Sequence, residues 1–317
     1  MSEQRIITQD TFGGPEVLRP GTAAVPDPLP TEIRVRVTAA GVNPVDAKTR
    51  SGRGMASVLG EPPFVLGWDV AGTVDAVGRG VTLFGVGDRV MGMPRFPQQA
   101  AAYAEYVTAP SRHFVATPNG LDDVHAGALP MAALTAWQSL VDTAHVASGD
   151  RVLVQGAGGG VGHVAVQIAK ARGAHVVAVA SAAKHDLLHD LGADELIDYR
   201  DADLAEATQP VDVVFDLVGG DATVASIQTL RRGGQVVIAP GGLADDARRL
   251  AEDRGVRLVP ILVEPDRAGL LAASVLVADG RLRVHVSRTF PLADARSAHE
   301  AIESGHTPGK LVLTVGA

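Results

Sequence analysis

Two hydrophobic textures follow one another along the chain. From Arg5 to about Pro118, apolar residues come in short runs that Gly and Pro interrupt. Ile33-Arg34-Val35-Arg36-Val37 alternates apolar and charged positions, the period of a strand with one face buried. Val70 to Val77 predicts another strand, and Gly87-Asp88-Arg89-Val90-Met91 predicts a turn entering a third. Short strands with frequent turn signals imply a largely β domain. The Pro-rich run from Ala24 to Pro30 reads as a rigid loop between strands. From about Asp122 to Val263 the texture changes to strand–helix alternation. The candidate strands are Arg151 to Gln155, Ala174 to Ala180, Glu195 to Asp198, Val211 to Asp216 and Gln235 to Ala239. Helical patterns lie between them at Gly162 to Arg172, Lys184 to Leu191 and Ala222 to Leu230. That is the signature of a parallel sheet with crossover helices. Beyond Val263 come a helix at Ala268 to Asp279 and strands near Val284 to Phe290 and Leu311 to Val315. These can extend the second sheet or return to the first domain, and periodicity alone leaves both open.

Composition narrows the class. The 317 residues are 46% hydrophobic and 20% charged, the balance of a soluble globular protein rather than a disordered or fibrous one. Lys and Arg number 28 against 36 Asp and Glu, a formal charge of −8, opposite in sign to a nucleic-acid or anionic-membrane binder. With no Cys, neither a disulfide framework nor a thiolate zinc cluster can form. The N-terminal residues show no apolar signal core, and stretches such as His175 to Ala183 are far shorter than a membrane span. A cytoplasmic protein with no membrane or nucleic-acid partner is expected.

The strongest chemical motif runs from Arg151 to Lys170. An apolar strand enters the turn Gly156-Ala157-Gly158-Gly159-Gly160-Val161-Gly162, which opens a helix with apolar residues at Val161, Val164, Ala165 and Ile168. Strand, glycine turn and helix in that order make a dinucleotide site. Glycines permit the tight turn and let a pyrophosphate approach the backbone, while the helix N-terminus supplies N–H donors and a positive dipole end. The strict G-x-G-x-x-G pattern fails at Val161; the spacing that fits is Gly156, Gly159 and Gly162. The second candidate strand ends in Ser181-Ala182-Ala183-Lys184, with no acid before Asp186. A hydroxyl and an ammonium there attract a 2′-phosphate that a carboxylate would repel, which favours NADP(H) over NAD(H).

Four further segments complete a pattern. They are Ala39 to Gly52, containing Asn43-Pro44-Val45-Asp46-Ala47-Lys48; Leu66-Gly67-Trp68-Asp69 through Gly78; Ala128 to Trp137; and Gly305-His306-Thr307-Pro308-Gly309-Lys310-Leu311. In this order, over essentially the whole length, the chain resembles the medium-chain dehydrogenase/reductase superfamily, and within it the zinc-independent quinone oxidoreductase branch. The resemblance implies an α/β fold in which a GroES-like β domain, residues 1–121, precedes a Rossmann NADP-binding domain, residues 122–263. Residues 264–317 would return to the first domain. Zinc-dependent relatives carry Gly-His-Glu and Cys ligands; here Gly67-Trp68-Asp69 and the lack of Cys imply no metal.

By the same resemblance, Gly156, Ala157, Gly158, Gly159, Gly160, Val161 and Gly162 cradle the cofactor. Ser181, Lys184 and Tyr199 would hold its 2′-phosphate, Lys310 would reach it, and Thr135 would contact the nicotinamide side. Tyrosines that many quinone oxidoreductases carry, at the position of Lys48 and near Gly54, are absent, and Asn43 to Lys48 looks like the alkenal/enone reductases of the branch. The substrate expectation therefore moves toward α,β-unsaturated carbonyls, with quinones retained. In this scheme Lys48 donates to the substrate oxygen or to the nicotinamide ribose. Asn43 orients the ribose or the substrate carbonyl, and Asp46 holds Lys48 or Asn43 in place. Asp46 also reads as a turn residue capping the backbone after Pro44. Trp68 either lines the pocket or packs the β domain, and Arg50 reads as a surface partner of a carboxylate. A homodimer is implied. Two rivals remain: an NADPH-binding protein with little catalysis, and a tailoring reductase acting on a biosynthetic intermediate.

Overall fold

Alternation between Ile33 and Val37 becomes one-sided burial in the computed structural model. Ile33, Val35 and Val37 are buried, Arg36 is exposed, and Arg34 is half-buried against Asp75, Nε to Oδ1 2.9 Å. The structure describes residues 2–201, 203–239 and 245–316. They form two compact units: residues 1–131, 264–278 and 284–317 in the first, and residues 132–263 with 279–283 in the second.

The first unit begins with β1 (Glu3–Gln9), β2 (Arg19–Ala24) and β3 (Glu32–Val42). Two short helices follow, α1 (Pro44–Arg50) and α2 (Ala56–Leu59). Then come β4 (Phe64–Val65), β5 (Val70–Val77), β6 (Arg89–Gly92), β7 (Tyr106–Pro110) and β8 (Phe114–Ala116). The Pro-rich run lies in the loop between β2 and β3. β3 continues five residues past the alternating stretch because Ala39 to Val42 are covered on both faces, where alternation is no longer required. Helices α3 (Asp123–Ala128) and α4 (Pro130–Trp137) follow. The first unit takes in residues through Met131, whose backbone N–H donates to the buried Asp69 carboxylate at 2.7 Å.

The second unit is a six-stranded parallel sheet. Its strands are β9 (Arg151–Gln155), β10 (His175–Val179), β11 (Glu195–Ile197), β12 (Val211–Asp216), β13 (Leu230–Ile238) and β14 (Arg257–Pro260). The crossover helices are α5 (Gly162–Ala171), α6 (His185–Asp190), α7 (Leu204–Ala207), α8 (Asp221–Thr229) and α9 (Asp245–Arg254). The spatial order β11-β10-β9-β12-β13-β14 is the doubly wound arrangement that reverses direction between β9 and β12. Val152 to Val154, Val176 to Val179 and Val213 to Phe215 are continuously buried, as parallel strands with helices on both faces must be.

The C-terminal segment settles the question that periodicity left open. Helix α10 (Arg267–Ala278), β15 (Val286–Pro291), α11 (Ala295–Glu303) and β16 (Lys310–Thr314) belong to the first unit. There the sheet runs β15-β16-β3-β5-β6-β8, with β7 also paired to β3. β16 runs antiparallel to β3 with Leu311 opposite Val42, a register that carries Lys310 to the level of Asn43. The same β3 pairs with β5, Ala39 opposite Ala71, so Asp69 arrives two residues before that partner. Three distant sequence segments therefore meet at one end of β3.

Candidate functional site

In the second unit, the glycine turn lies where the doubly wound sheet reverses. Gln155 and Asp216 end neighbouring strands in register, and the crevice beyond such carboxyl ends is where these sheets take ligands. Gly156 has φ +73°, a conformation that disfavours side chains. A Cβ on Gly162 would stand 2.3 Å from the Gly156 carbonyl oxygen and 2.6 Å from Ala157 Cα, so helix and turn can approach this closely only with glycine. Ala157 N–H donates to Val179 O at 3.0 Å and Gly159 N–H to Gly156 O at 3.0 Å, which ties the turn to β10 and to itself. Val161, the residue before α5, offers no side-chain oxygen, so no side chain caps the helix that the turn opens. Gly160 lies within the same turn, half-buried. These features fit a pyrophosphate: a close backbone without side chains of its own at the glycines, and an uncapped N-terminus.

Ser181 and Lys184 flank the next strand end, both half-buried. The Lys184 stem crosses Gly158, whose added Cβ would lie 2.4 Å from Lys184 Cδ. Burial lowers the Lys184 pKa from its ordinary value. Tyr199 follows β11 and is 58% exposed. One pair escaped the sequence reading: Asp198, whose Oδ2 accepts from Ala182 N at 2.8 Å, and Arg200, whose guanidinium grips that carboxylate at 2.7 and 3.0 Å. Arg200 holds the Asp198 carboxyl well below the usual carboxylate range. An acid does stand beside the Ser181 segment, delivered by β11 rather than β10, and it is already paired. Thr135 is buried in α4 and its carbonyl accepts from Ser139 Oγ at 2.7 Å.

In the first unit, the end of β3 gathers a buried polar cluster. Asn43 precedes α1, and its backbone N–H donates to Asp46 Oδ2 at 2.7 Å. The Asn43 side chain reaches beyond the start of α1. It is engaged elsewhere: Nδ2 donates to Asp69 Oδ2 at 2.9 Å, and Oδ1 accepts from Lys310 Nζ. Lys310 also donates to Asp69 Oδ2 at 3.2 Å and to Val42 O at 3.4 Å. Lys310 and Asp69 are 3% and 0% exposed, so this is a fully desolvated ion pair whose three ammonium hydrogens face three acceptors. Close packing of Gly41 makes room, since a Cβ there would sit 2.6 Å from Asp69 Oδ2.

Asp46 is fully buried, and burial together with nearby Asp69 pushes its carboxyl up to about 7; the Asn43 N–H bond and Lys310 hold it down. Its Oδ1 has no formed hydrogen bond. The nearby Tyr103 hydroxyl also lowers the carboxyl's pKa.

Lys48 departs from expectation. It is exposed on α1, two residues from Asp46 and on another side of the helix, and Asp46 bonds Asn43 rather than Lys48. The ammonium tied to Asn43 is Lys310. Arg50 departs too: it is buried, donating to Gly13 O, His299 Nδ1 and Glu303 Oε1. Trp68 packs, its Nε1 donating to Gln98 O at 2.7 Å and its ring edge-on to Phe96. Sequence reading missed Asp69 as the partner of Asn43, Tyr103 as the neighbour of Asp46, and His299 as the partner of Tyr103. The usable signal was a charged or polar residue inside an otherwise apolar strand end.

Comparison with known proteins agrees with this architecture. The family model for the alcohol dehydrogenase GroES-like domain matches residues 29–119, and that for the zinc-binding dehydrogenase domain matches residues 191–313. A 2-haloacrylate reductase of Burkholderia sp is 35% identical over 95% of this chain and 96% of its own length. The quinone oxidoreductase structure from Coxiella burnetii superposes with a TM-score of 0.94 at 38% identity, covering 99% and 100% of the two chains. The Escherichia coli quinone oxidoreductase complexed with NADPH gives 0.87 at 30% identity, over 98% and 100%. The zinc in the second family's name does not fit the residues here. The chain has no Cys, Asp69 is committed to Lys310, Asn43 and Met131, and among the described residues no three His, Cys, Asp or Glu are grouped to hold a metal. No helix among them is long and apolar enough to cross a membrane.

Proposed function

The chain belongs to the medium-chain dehydrogenase/reductase superfamily, in its zinc-independent quinone oxidoreductase branch, and from that premise we propose an NADPH-dependent reductase of α,β-unsaturated carbonyls, with quinones as secondary substrates. NAD(P)H-dependent oxidoreduction on a small molecule is the activity of the family; the phosphate preference and the substrate class are our reading. The Gly156–Gly162 turn would hold the pyrophosphate of NADPH, and the cofactor would supply a hydride for the substrate β-carbon, with a proton from water completing the reduction at the α-carbon.

The protein's part is to hold and polarise. Ser181, Lys184 and Tyr199 supply a hydroxyl, an ammonium and a phenol for the 2′-phosphate. Arg200 neutralises the Asp198 carboxylate, which would oppose it. As hydride arrives, negative charge grows on the substrate oxygen, and a donor fixed beforehand lowers the barrier. Asn43 is that donor. Its Nδ2 carries two hydrogens and the cluster uses one, leaving the second for a ligand. Lys310 on Oδ1 draws electron density from the amide and strengthens that N–H, while Asp69 fixes its direction. The donor role expected of Lys48 thus passes to Asn43.

Haloacrylate, the substrate in one relative's name, is a double bond conjugated to a carboxyl group, which favours conjugated acceptors over quinones. The buried amide held between Lys310 and Asp69 is the observation that carries the catalytic assignment. We further take the chain to act as a homodimer, β14 offering an edge paired on one side only, as sedimentation can check. The functional test is NADPH oxidation against a panel of enones, alkenals and quinones, with NADH as control. Turnover fastest on enones or alkenals with NADPH is expected, lowered ~10²-fold in Asn43→Ala and within about twofold in Lys48→Ala. No turnover with any acceptor would leave a cofactor-binding protein without catalysis.

A further inference from the structure

A second line of buried polar side chains reaches the same asparagine from the opposite side, and its direction can be read from one fixed point. Arg50 is always a donor, having five N–H groups and no acceptor. Its Nη1 lies 3.1 Å from His299 Nδ1, so that nitrogen must accept and carries no proton. His299 is fully buried, and burial with the adjacent guanidinium lowers its pKa to about 3, which leaves the ring neutral. A neutral ring without a proton at Nδ1 carries it at Nε2. Nε2 is 3.1 Å from Tyr103 Oη, and the two rings meet edge-on at 5.7 Å. His299 therefore donates to Tyr103, and the tyrosine's own hydrogen is released to point elsewhere. Beside it stands Asp46 Oδ1, a buried carboxylate oxygen without a formed hydrogen bond. Asp46 Oδ2 in turn accepts the Asn43 backbone N–H.

The formed bonds run from Arg50 to His299 and from His299 to Tyr103, which leaves the tyrosine hydrogen for the unpartnered Asp46 Oδ1, while Asn43 donates to Oδ2 from the other side. A proton relay is excluded by the same geometry, because the line ends on a guanidinium that takes up no proton and occupies the nitrogen a relay would need. We propose that Tyr103, oriented by His299 and Arg50, is a positioning residue that donates to Asp46 and so fixes the backbone of Asn43 for its role at the substrate oxygen. α11, which carries His299 and Glu303, the latter pairing Arg50 Nη2 at 2.6 Å, is thereby the outer brace of α1. The proposal rests on the assignment of Asn43 given above.

The test reads Asp46 directly, so that it stands apart from turnover. The backbone amide resonance of Asn43 in ¹⁵N-labelled protein follows the ionisation of the carboxylate it donates to. The charged groups acting on Asp46 are Asp69 and Lys310, and Tyr103 is a neutral donor side chain beside it; the variants below leave the first two unchanged. Tyr103→Phe removes a donor to the carboxylate form. The Asn43 titration midpoint should then rise by about half a pH unit or more, a threefold or larger change in the ionised ratio. Replacing all three tyrosines by 3-fluorotyrosine keeps the volume and gives a stronger donor, so it should move the midpoint the other way and remains informative should Tyr103→Phe fold poorly. In turnover, Tyr103→Phe should lose several-fold more kcat/KM at pH 6 than at pH 9, where the carboxylate reforms. A midpoint unmoved by the fluorinated tyrosines, or moved upward by them, overturns the proposal, as does an equal loss of kcat/KM at every pH. Absence of turnover in the wild type would count against the function above while the amide titration still decides this point.

Discussion

Lys310→Met tests the cluster at its hardest point. The side chain it replaces is 3% exposed, and the carboxylate it leaves behind, Asp69, is 0% exposed. Methionine fills most of the stem's volume, so the loss is almost purely electrostatic. Asp69 retains two donors, Met131 N at 2.7 Å and Asn43 Nδ2 at 2.9 Å, but no cation, and Asn43 Oδ1 and Val42 O each lose a partner. Breaking a buried pair from one side costs about 3–5 kcal/mol, because a desolvated charge remains. Against a total of ~5–15 kcal/mol that is a large fraction of the stability of the first unit. Removing the charge as well, in Asp69→Asn with Lys310→Met, should return much of it, since the orphaned carboxylate is gone. Denaturant unfolding of wild type, both single variants and the double variant gives the coupling. A coupling of at least ~2 kcal/mol is expected, with kcat/KM for enones still down ~10–100-fold in the double variant because Asn43 is no longer oriented. The reasoning fails if Lys310→Met costs under ~1 kcal/mol, or if the two losses simply add.

Three smaller outcomes follow from the same geometry. Gly162→Ala places a Cβ 2.3 Å from Gly156 O, so NADPH affinity by calorimetry should fall at least ~10-fold as the turn is forced away from α5. Lys184→Ala should weaken NADPH ~10-fold or more and NADH under ~3-fold; equal losses would remove Lys184 from the 2′-phosphate. The Asp46 carboxyl is raised in the folded state, from 3.8 to about 7, so the folded protein binds the extra proton across that interval. Stability linked to it is fully present below pH 3.8 and is lost as pH rises to 7. Relative to Asp46→Asn, the wild type should therefore lose unfolding free energy between pH 4 and 7 and level off above 8, as urea titrations at stepped pH would record.

Sequence alone yielded the strands β9 to β12 of the second unit and the C-terminal half of β13, since a parallel sheet buried on both faces writes itself as apolar runs bounded by glycine; β14, α7 and α9 were not read from the pattern. Arg151–Gln155 and Val211–Asp216 are the strands that the pattern predicts. It yielded less of the first unit. β3 outruns its alternating stretch to Val42, and the end that lies past the alternation is the end that carries the chemistry. Ala39-Ala40-Gly41-Val42 has neither a period of two nor a turn signal, because small residues there admit Asp69 from one side and α3 from the other. A local pattern records which face of a segment is wet; it holds no record of which distant segment fills the dry one.

The same limit explains why Lys48 looked like the donor and Lys310 did not. Lys48 is five residues from Asn43 in sequence, yet the 100° step of a helix turns it to solvent. Lys310 is 267 residues away, yet the β16–β3 register sets it against the amide. Proximity in sequence favoured Lys48, and what distinguishes the cation that is set against the amide is charge balance. A buried Asp69 with no cation would be an uncompensated charge inside a sheet, so its presence between Trp68 and Val70 already demanded a partner from elsewhere in the chain. Read in that order, from the acid that has to be paired to the ammonium that can reach it, the cluster follows from strand pairing and electrostatics together, and neither is sufficient without the other.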